Sequence, residues 1–223
     1  MLDFKAAIFD LDGTLIDSMG VWEKIDIDFL AKRNLTVPEN YVGEICTKSF
    51  KEAAIYTISL FGLHESTEAI ISEWNRMAID EYSHRVPLKP HAKEYLLFLK
   101  NHGIKLGTAT ALPRVLYEPV LKNNGVYDLF DAFASTDEVK RSKESPDIYL
   151  LAAEKLDVCP GKCIAFEDVL PGIQGIISAG MTAYGVYDKY SKNEKTAIQK
   201  LSKGYIYDFA EMMDVNSFVS RNT

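Results

Sequence analysis

Between residues 104 and 186 short apolar runs alternate with stretches of helical periodicity, and that alternation leaves few folds open. Ile104-Lys105-Leu106-Gly107-Thr108-Ala109, Ala132-Phe133-Ala134, Cys163-Ile164-Ala165-Phe166 and Thr182-Ala183-Tyr184-Gly185-Val186 have the length and apolar content of buried strands. Between them lie a helix through Val115 and Leu121 that stops at Gly125, a helix from Pro146 to Leu156, and one that ends at Gly180. Another precedes the series, with Tyr95, Leu96, Phe98 and Leu99 inward and Gly103 at its end. Repeats of this kind predict an α/β fold, a doubly wound parallel sheet with right-handed helical crossovers, whose ligands gather at the carboxyl ends of the strands.

One more strand pattern, Ala6 to Phe9, opens the chain and runs into the sharp turn Asp10-Leu11-Asp12-Gly13-Thr14. From about Ser18 to Arg85 the pattern is helical throughout: Val21, Trp22, Ile25, Phe29 and Leu30, then Ala54, Ile55, Ile58, Leu60 and Phe61, then a third helix from Glu65 to about Tyr82. This reads as an inserted all-helical domain over residues 16–87, with the core formed by residues 1–15 and 88–223. With 47% hydrophobic and 26% charged residues the chain can bury a sizeable core, which excludes a disordered or fibrous protein.

The net charge of −7 is the wrong sign for a generic nucleic-acid binder, and no basic run offsets it. The apolar segment near the N-terminus is too short for a membrane span or a secretory signal, so no membrane partner and a cytoplasmic location are expected. Cys46, Cys159 and Cys163 are too few and too odd for a disulfide framework, and reduced thiols are the expectation. Nothing in the sequence separates a monomer from a weak homo-oligomer.

The polar residues after the strands carry the chemistry. Asp10 and Asp12 follow the first, Thr110 the second, Glu167-Asp168 close the strand from Cys163, and Lys143 precedes a later helix. Paired carboxylates repel unless a positive charge sits among them, and oxygen-only ligands favour Mg²⁺. Residues i and i+2 of an extended segment face one side, so Asp10 and Asp12 can address one substrate, with Gly13 permitting the turn. A carboxylate facing a phosphoryl group can attack phosphorus and divide one hard hydrolysis into two easier steps. Asp10 is the expected nucleophile and Asp12 the acid and base, while Thr110 and Lys143 hold the phosphoryl oxygens.

Asp10-Leu11-Asp12-Gly13-Thr14, Thr110 after an apolar strand, Lys143 before Ser145-Pro146-Asp147, and Glu167-Asp168 with Ala179-Gly180-Met181 beyond resemble the haloacid dehalogenase superfamily in order and spacing over essentially the whole chain. The helical insert resembles the cap of the subfamily that contains beta-phosphoglucomutase and many small-metabolite phosphatases. The resemblance implies a Rossmann-like core with a helical cap, and a Mg²⁺ site made by the Asp10 side chain, the Asp12 backbone carbonyl, Asp168, and Glu167 directly or through water. It also implies phosphate transfer, since dehalogenases of the superfamily lack the second Asp. Thr14, Ala111 and Lys48 are candidate substrate contacts.

The expected activity is therefore a Mg²⁺-dependent phosphatase acting on a small phosphorylated metabolite, a sugar phosphate first of all, through an aspartyl-phosphate. A sugar-phosphate mutase is the nearest alternative and a non-catalytic phosphate-binding module a further one. Beta-phosphoglucomutase carries a His in its first cap helix where Trp22 aligns. Residues 16–87 hold 12 acidic and 7 basic side chains, and 7 minus 12 leaves −5, which favours the phosphatase over an enzyme that must seat a bisphosphate.

Blander roles compete at each position. A calcium loop would want Gly sixth and Glu twelfth, whereas Gly is fourth and Val21 twelfth. Glu167-Asp168 can cap a helix, Lys143 can be a solvated lysine, and Thr110 can bond its own backbone. Cys159 and Cys163, four apart without a second pair, make a poor zinc site. His64, His84, His91 and His102 sit singly and read as solvated or capping residues, and Trp22, Phe50, Tyr56 and Trp74 read as core.

Overall fold

The computed structural model describes residues 2–45 and 50–213. The chain divides into two compact units, one formed by the residues up to Met19 together with those from Val86 onward, the other by Gly20–Arg85. The divisions fall after Met19 and before Val86 because the two connecting segments pair with each other. Ile16 forms an antiparallel bridge with Leu88, and the Asp17 amide donates to the Pro87 carbonyl at 2.9 Å.

The first unit is the predicted doubly wound sheet. Its six strands, β1 (Ala6–Phe9), β2 (Lys105–Thr110), β3 (Ala132–Ser135), β4 (Cys163–Glu167), β5 (Thr182–Val186) and β6 (Gly204–Ile206), lie in the order β3-β2-β1-β4-β5-β6 and pair in parallel throughout. All four residues of β1 are buried, as a central parallel strand covered on both faces requires. The Phe9 and Phe166 rings, level across the β1–β4 pair, stack at 4.9 Å and join Tyr95 and Phe209 in an aromatic layer on one face. A cluster of small and aliphatic residues with Tyr149 fills the other. From β1 the chain steps outward to β2 and β3, then crosses back to β4 and steps outward the other way. The reversal falls between β1 and β4, so their carboxyl ends frame the crevice where ligands of such sheets bind.

Sequence reading missed the last strand, β6, and the helix before it, Lys195–Leu201. Only Ile206 of β6 is buried, because three residues at a sheet edge expose one face and show no alternation. Cys159 and Cys163 are free thiols, and Cys46 lies outside the described residues. Among the described residues no helix is long and apolar enough to cross a membrane.

The second unit is helical: α1 (Val21–Ala31), α2 (Tyr41–Ile45), α3 (Phe50–Phe61) and α4 (Thr67–His84), and the next helices along the chain, back in the first unit, are α5 (Ala92–Asn101) and α6 (Arg114–Asn123). Ser66 starts α4 by accepting the Ala69 amide, the N-cap bond a serine supplies best. Its packed layer is Val21, Ile25, Phe29, Leu30, Ala54, Ile70, Trp74 and Tyr82. Trp22, expected in that layer, is exposed, as are Ile55 and Leu60. The buried face of α3 runs instead through Ala53, Ala54 and Thr57, whose hydroxyl pairs with that of Tyr41 at 2.7 Å. An amphipathic period locates a stripe only to within a residue, and here the small side chains turn inward.

Asp26 is buried on the inner side of α1, and burial, aided by the charge of Glu23, pushes its carboxyl up to about 7. A carboxyl whose folded pKa exceeds its unfolded value costs stability as pH rises from about 4 to about 7, and the cost is constant above. Asp26→Asn removes that cost. Thermal melts should show the variant gaining on the wild type across this window and holding a steady advantage at pH 8 of at most about 4 kcal/mol, less whatever solvent screening takes from it. A gap that does not widen with pH would refute the assignment.

Candidate active site

The strand ends at the reversal bring four charged side chains together. Asp10 follows β1 directly, its amide donating to the Phe166 carbonyl at 3.1 Å, which levels Asp10 with Glu167 at the end of β4. The carboxylate oxygens of Asp10, Glu167 and Asp168 lie within 4.8 Å of one another, and all three residues are buried. Lys143 reaches in from the loop before α7 (Asp147–Lys155). Its ammonium pairs with Asp10 Oδ1 at 2.5 Å and with Glu167 Oε1. The loop can lie this low because α8 (Leu170–Ser178) carries Gly175, where a Cβ would come within 2.0 Å of the Lys143 carbonyl oxygen. The turn after β1 depends on Gly13 at φ +77°, whose missing Cβ would meet Asp168 Oδ2 at 2.5 Å.

The electrostatics follow from burial. Three carboxylates against one ammonium leave two negative charges in a desolvated site. Burial and the charges of Glu167 and Asp168 hold the Asp10 carboxyl well above the usual carboxylate range, against the pull of Lys143. Burial and Glu167 push Asp168 up to about 7, although Thr14 Oγ1 donates to its Oδ1 at 2.8 Å. Burial disfavours the Lys143 ammonium, yet Asp10 and Glu167 together hold its pKa above that of a free lysine. It is a permanent cation, not the solvated lysine of the blander reading. The residual charge matches a divalent ion, and oxygen-only donors suit a hard one, so these residues fit a metal site.

The remaining candidates take different places. Asp12 is half-buried, outside the three-carboxylate cluster, with its Oδ1 accepting from Ser18 Oγ at 2.5 Å. Thr110 ends β2, the strand beside β1, and its hydroxyl accepts the Leu112 amide at 3.0 Å, the local bond such a residue commonly makes. Ala111 follows, exposed. Asp168 does not cap α8, whose N-cap residue is Val169. Lys48 lies outside the described residues.

Sequence reading missed two neighbours of the cluster, Tyr149, whose hydroxyl donates to Glu167 Oε1 at 3.0 Å, and Asp188, and it missed Ser18, which holds Asp12. Asp188 is buried after β5, pairs with Lys89 at 2.6 Å, and adds to the negative field at Asp168. The available signal for Asp188 was its place after a strand, like Asp10 and Glu167.

The family profile described as haloacid dehalogenase-like hydrolase matches residues 4–180. Hexitol phosphatase B of Escherichia coli K12 is 29% identical over 194 residues, 85% of this chain and 86% of its own. Beta-phosphoglucomutase of Bacillus subtilis is 32% identical over 198 residues, 82% and 83% of the two chains. Among solved structures, CbbY from Rhodobacter sphaeroides in complex with phosphate superposes with a TM-score of 0.74 at 25% identity, covering 94% of this chain and 96% of that one.

Proposed function

Because the chain belongs to the haloacid dehalogenase-like hydrolases, matched over residues 4–180, we propose that it is a Mg²⁺-dependent phosphatase that hydrolyses a small phosphorylated metabolite, a sugar phosphate first of all, through an aspartyl-phosphate on Asp10. The observation that carries this reading is the buried set of Asp10, Glu167 and Asp168 around Lys143, at the point where the strand order reverses. Relatives named as a hexitol phosphatase and a phosphoglucomutase, and a structural neighbour holding phosphate, support the substrate class.

Asp10 and Asp168 would hold the cation through their side chains, with the Asp12 carbonyl as a further ligand and Glu167 contributing directly or through water. Bound there, Mg²⁺ would supply positive charge for the phosphoryl oxygens. Lys143 pulls Asp10 toward its ionised form, against the burial and neighbouring charges that favour its protonated form, and offers a fixed charge to the oxygens as charge spreads over them in the transition state. An Asp10 oxygen attacks phosphorus while the bond to the ester oxygen breaks, and Asp12 gives that oxygen its proton. Asp12 then takes a proton from water, whose oxygen attacks phosphorus and breaks the bond to Asp10, releasing inorganic phosphate. Ser18 orients the Asp12 carboxyl for both transfers. Thr110 and Ala111 border the phosphoryl group, while Thr14 acts on it through Asp168, to which its hydroxyl donates.

Phosphate release from a panel of phosphorylated sugars and polyols, with and without Mg²⁺, tests the reading. The expected result is free phosphate that depends on Mg²⁺ and disappears with chelator. Glucose 1-phosphate converted to glucose 6-phosphate without free phosphate would establish the mutase instead. Binding of Mg²⁺ and phosphate without turnover on any ester would leave a binding module.

A further inference from the structure

Tyr149 stands in the middle of the apolar cluster on one face of the sheet, fully buried on α7. The ring belongs to that apolar cluster, where a phenylalanine ring would occupy the same space. The hydroxyl is the exception. A buried phenol needs a partner to offset its desolvation, and its partner is Glu167 Oε1 at 3.0 Å, the oxygen that also takes the Lys143 ammonium. The other oxygen, Oε2, accepts the Asp168 amide at 3.2 Å. The ring comes this close to α8 through the same Gly175, where a Cβ would stand 2.8 Å from Tyr149 Cε2.

We propose that Tyr149 is a positioning residue of the cation site: its hydroxyl, with Lys143 and the Asp168 amide, fixes the plane of the Glu167 carboxylate so that it meets the ion without reorganising. A carboxylate at a strand end has three torsions to settle, and three donors from α7, the loop before it and its own backbone leave it one orientation. Partners that orient a ligand in this way contribute strongly to metal affinity, with losses of roughly 10- to 100-fold when they are removed. The inference rests on the reading of the cluster as a Mg²⁺ site.

Calorimetric titration of the metal-free protein with Mg²⁺ alone tests it, paired with the rise in melting temperature that Mg²⁺ produces. Tyr149→Phe keeps the ring and removes one oxygen. It should weaken Mg²⁺ binding about tenfold and shrink the Mg²⁺-dependent rise in melting temperature, while KM for the phosphate ester at saturating Mg²⁺ stays where it was. Ile148→Val, a change of packing only on the same helix, should leave Mg²⁺ binding at the wild-type value. Tyr149→Phe binding Mg²⁺ within twofold of wild type would overturn the proposal, as would an equal loss in Ile148→Val, which would trace the effect to a loosened helix. A wild-type protein that binds no Mg²⁺ would overturn the metal site itself and the positioning role with it.

Discussion

Asp10→Asn should lose phosphate release by roughly 10³-fold or more, because the variant cannot form the acyl-phosphate bond on which both half-reactions depend. The same substitution should leave the protein as stable as the wild type or more so. Burial, with Glu167 and Asp168 nearby, raises the Asp10 carboxyl well above its ordinary range even though Lys143 opposes the shift. For such a group the folded state binds a proton more readily than the unfolded state. Stability contributed by the protonated form is present at low pH and is lost as pH climbs from about 4 through the folded pKa. Asn carries no charge and escapes that loss, and Lys143 keeps its second partner, Glu167. Melts in chelator at pH 5 and pH 8 should therefore show the variant holding its melting temperature across the range while the wild type declines. Retained turnover would remove Asp10 from the nucleophile's role, and a variant that melts far below wild type would make its inactivity a folding defect.

The parts of this site that were legible in the sequence are those fixed by short-range geometry. Asp10 must stand at the end of β1 because Ala6–Phe9 is a buried strand and the Asp-Gly step ends it, and Glu167-Asp168 stand after Cys163-Ile164-Ala165-Phe166 for the same reason. What the sequence withheld is how distant segments are brought into contact. Lys143 is 133 positions from Asp10, and its approach depends on a glycine 32 positions further on. Tyr149 carries a polar atom whose purpose appears only once α7 lies against β4, since in the sequence it is one more aromatic on the inner face of a helix. Asp188 shows the same limit, because β5 ends in Tyr-Gly-Val and the carboxylate follows two residues later, paired with Lys89, which stands 99 positions earlier in the chain. In the helical unit the small inward residues Ala53, Ala54 and Thr57 gave a weaker hydrophobic signal than the exposed Ile55 and Leu60.

Lys143→Met should be the most damaging single change to the metal-free protein, and its effect should depend on pH and on divalent cations in opposite senses. The ammonium is the positive charge inside the cluster, paired with both Asp10 and Glu167. Met fills similar space and supplies no charge, so each buried carboxylate must either stay ionised without its partner or take up a proton. Breaking a buried pair from one side costs about 3–5 kcal/mol. For a chain of this size each 1 kcal/mol shifts the melting temperature by about 2–4 °C. Proton uptake relieves the cost at low pH, so the deficit should be small near pH 5 and grow as pH rises, the direction set by the Asp10 carboxyl, whose folded pKa already stands above the ordinary range with Lys143 in place. Mg²⁺ replaces part of the missing charge, so it should raise the melting temperature of the variant more than that of the wild type. Turnover should not return with it, because the ion restores the balance of charge without the donor that Lys143 presents to the phosphoryl oxygens. Melts of both proteins at pH 5.5 and pH 8, in chelator and in Mg²⁺, check the whole set. A deficit that ignores pH and is untouched by Mg²⁺ would mean that Lys143 serves packing alone.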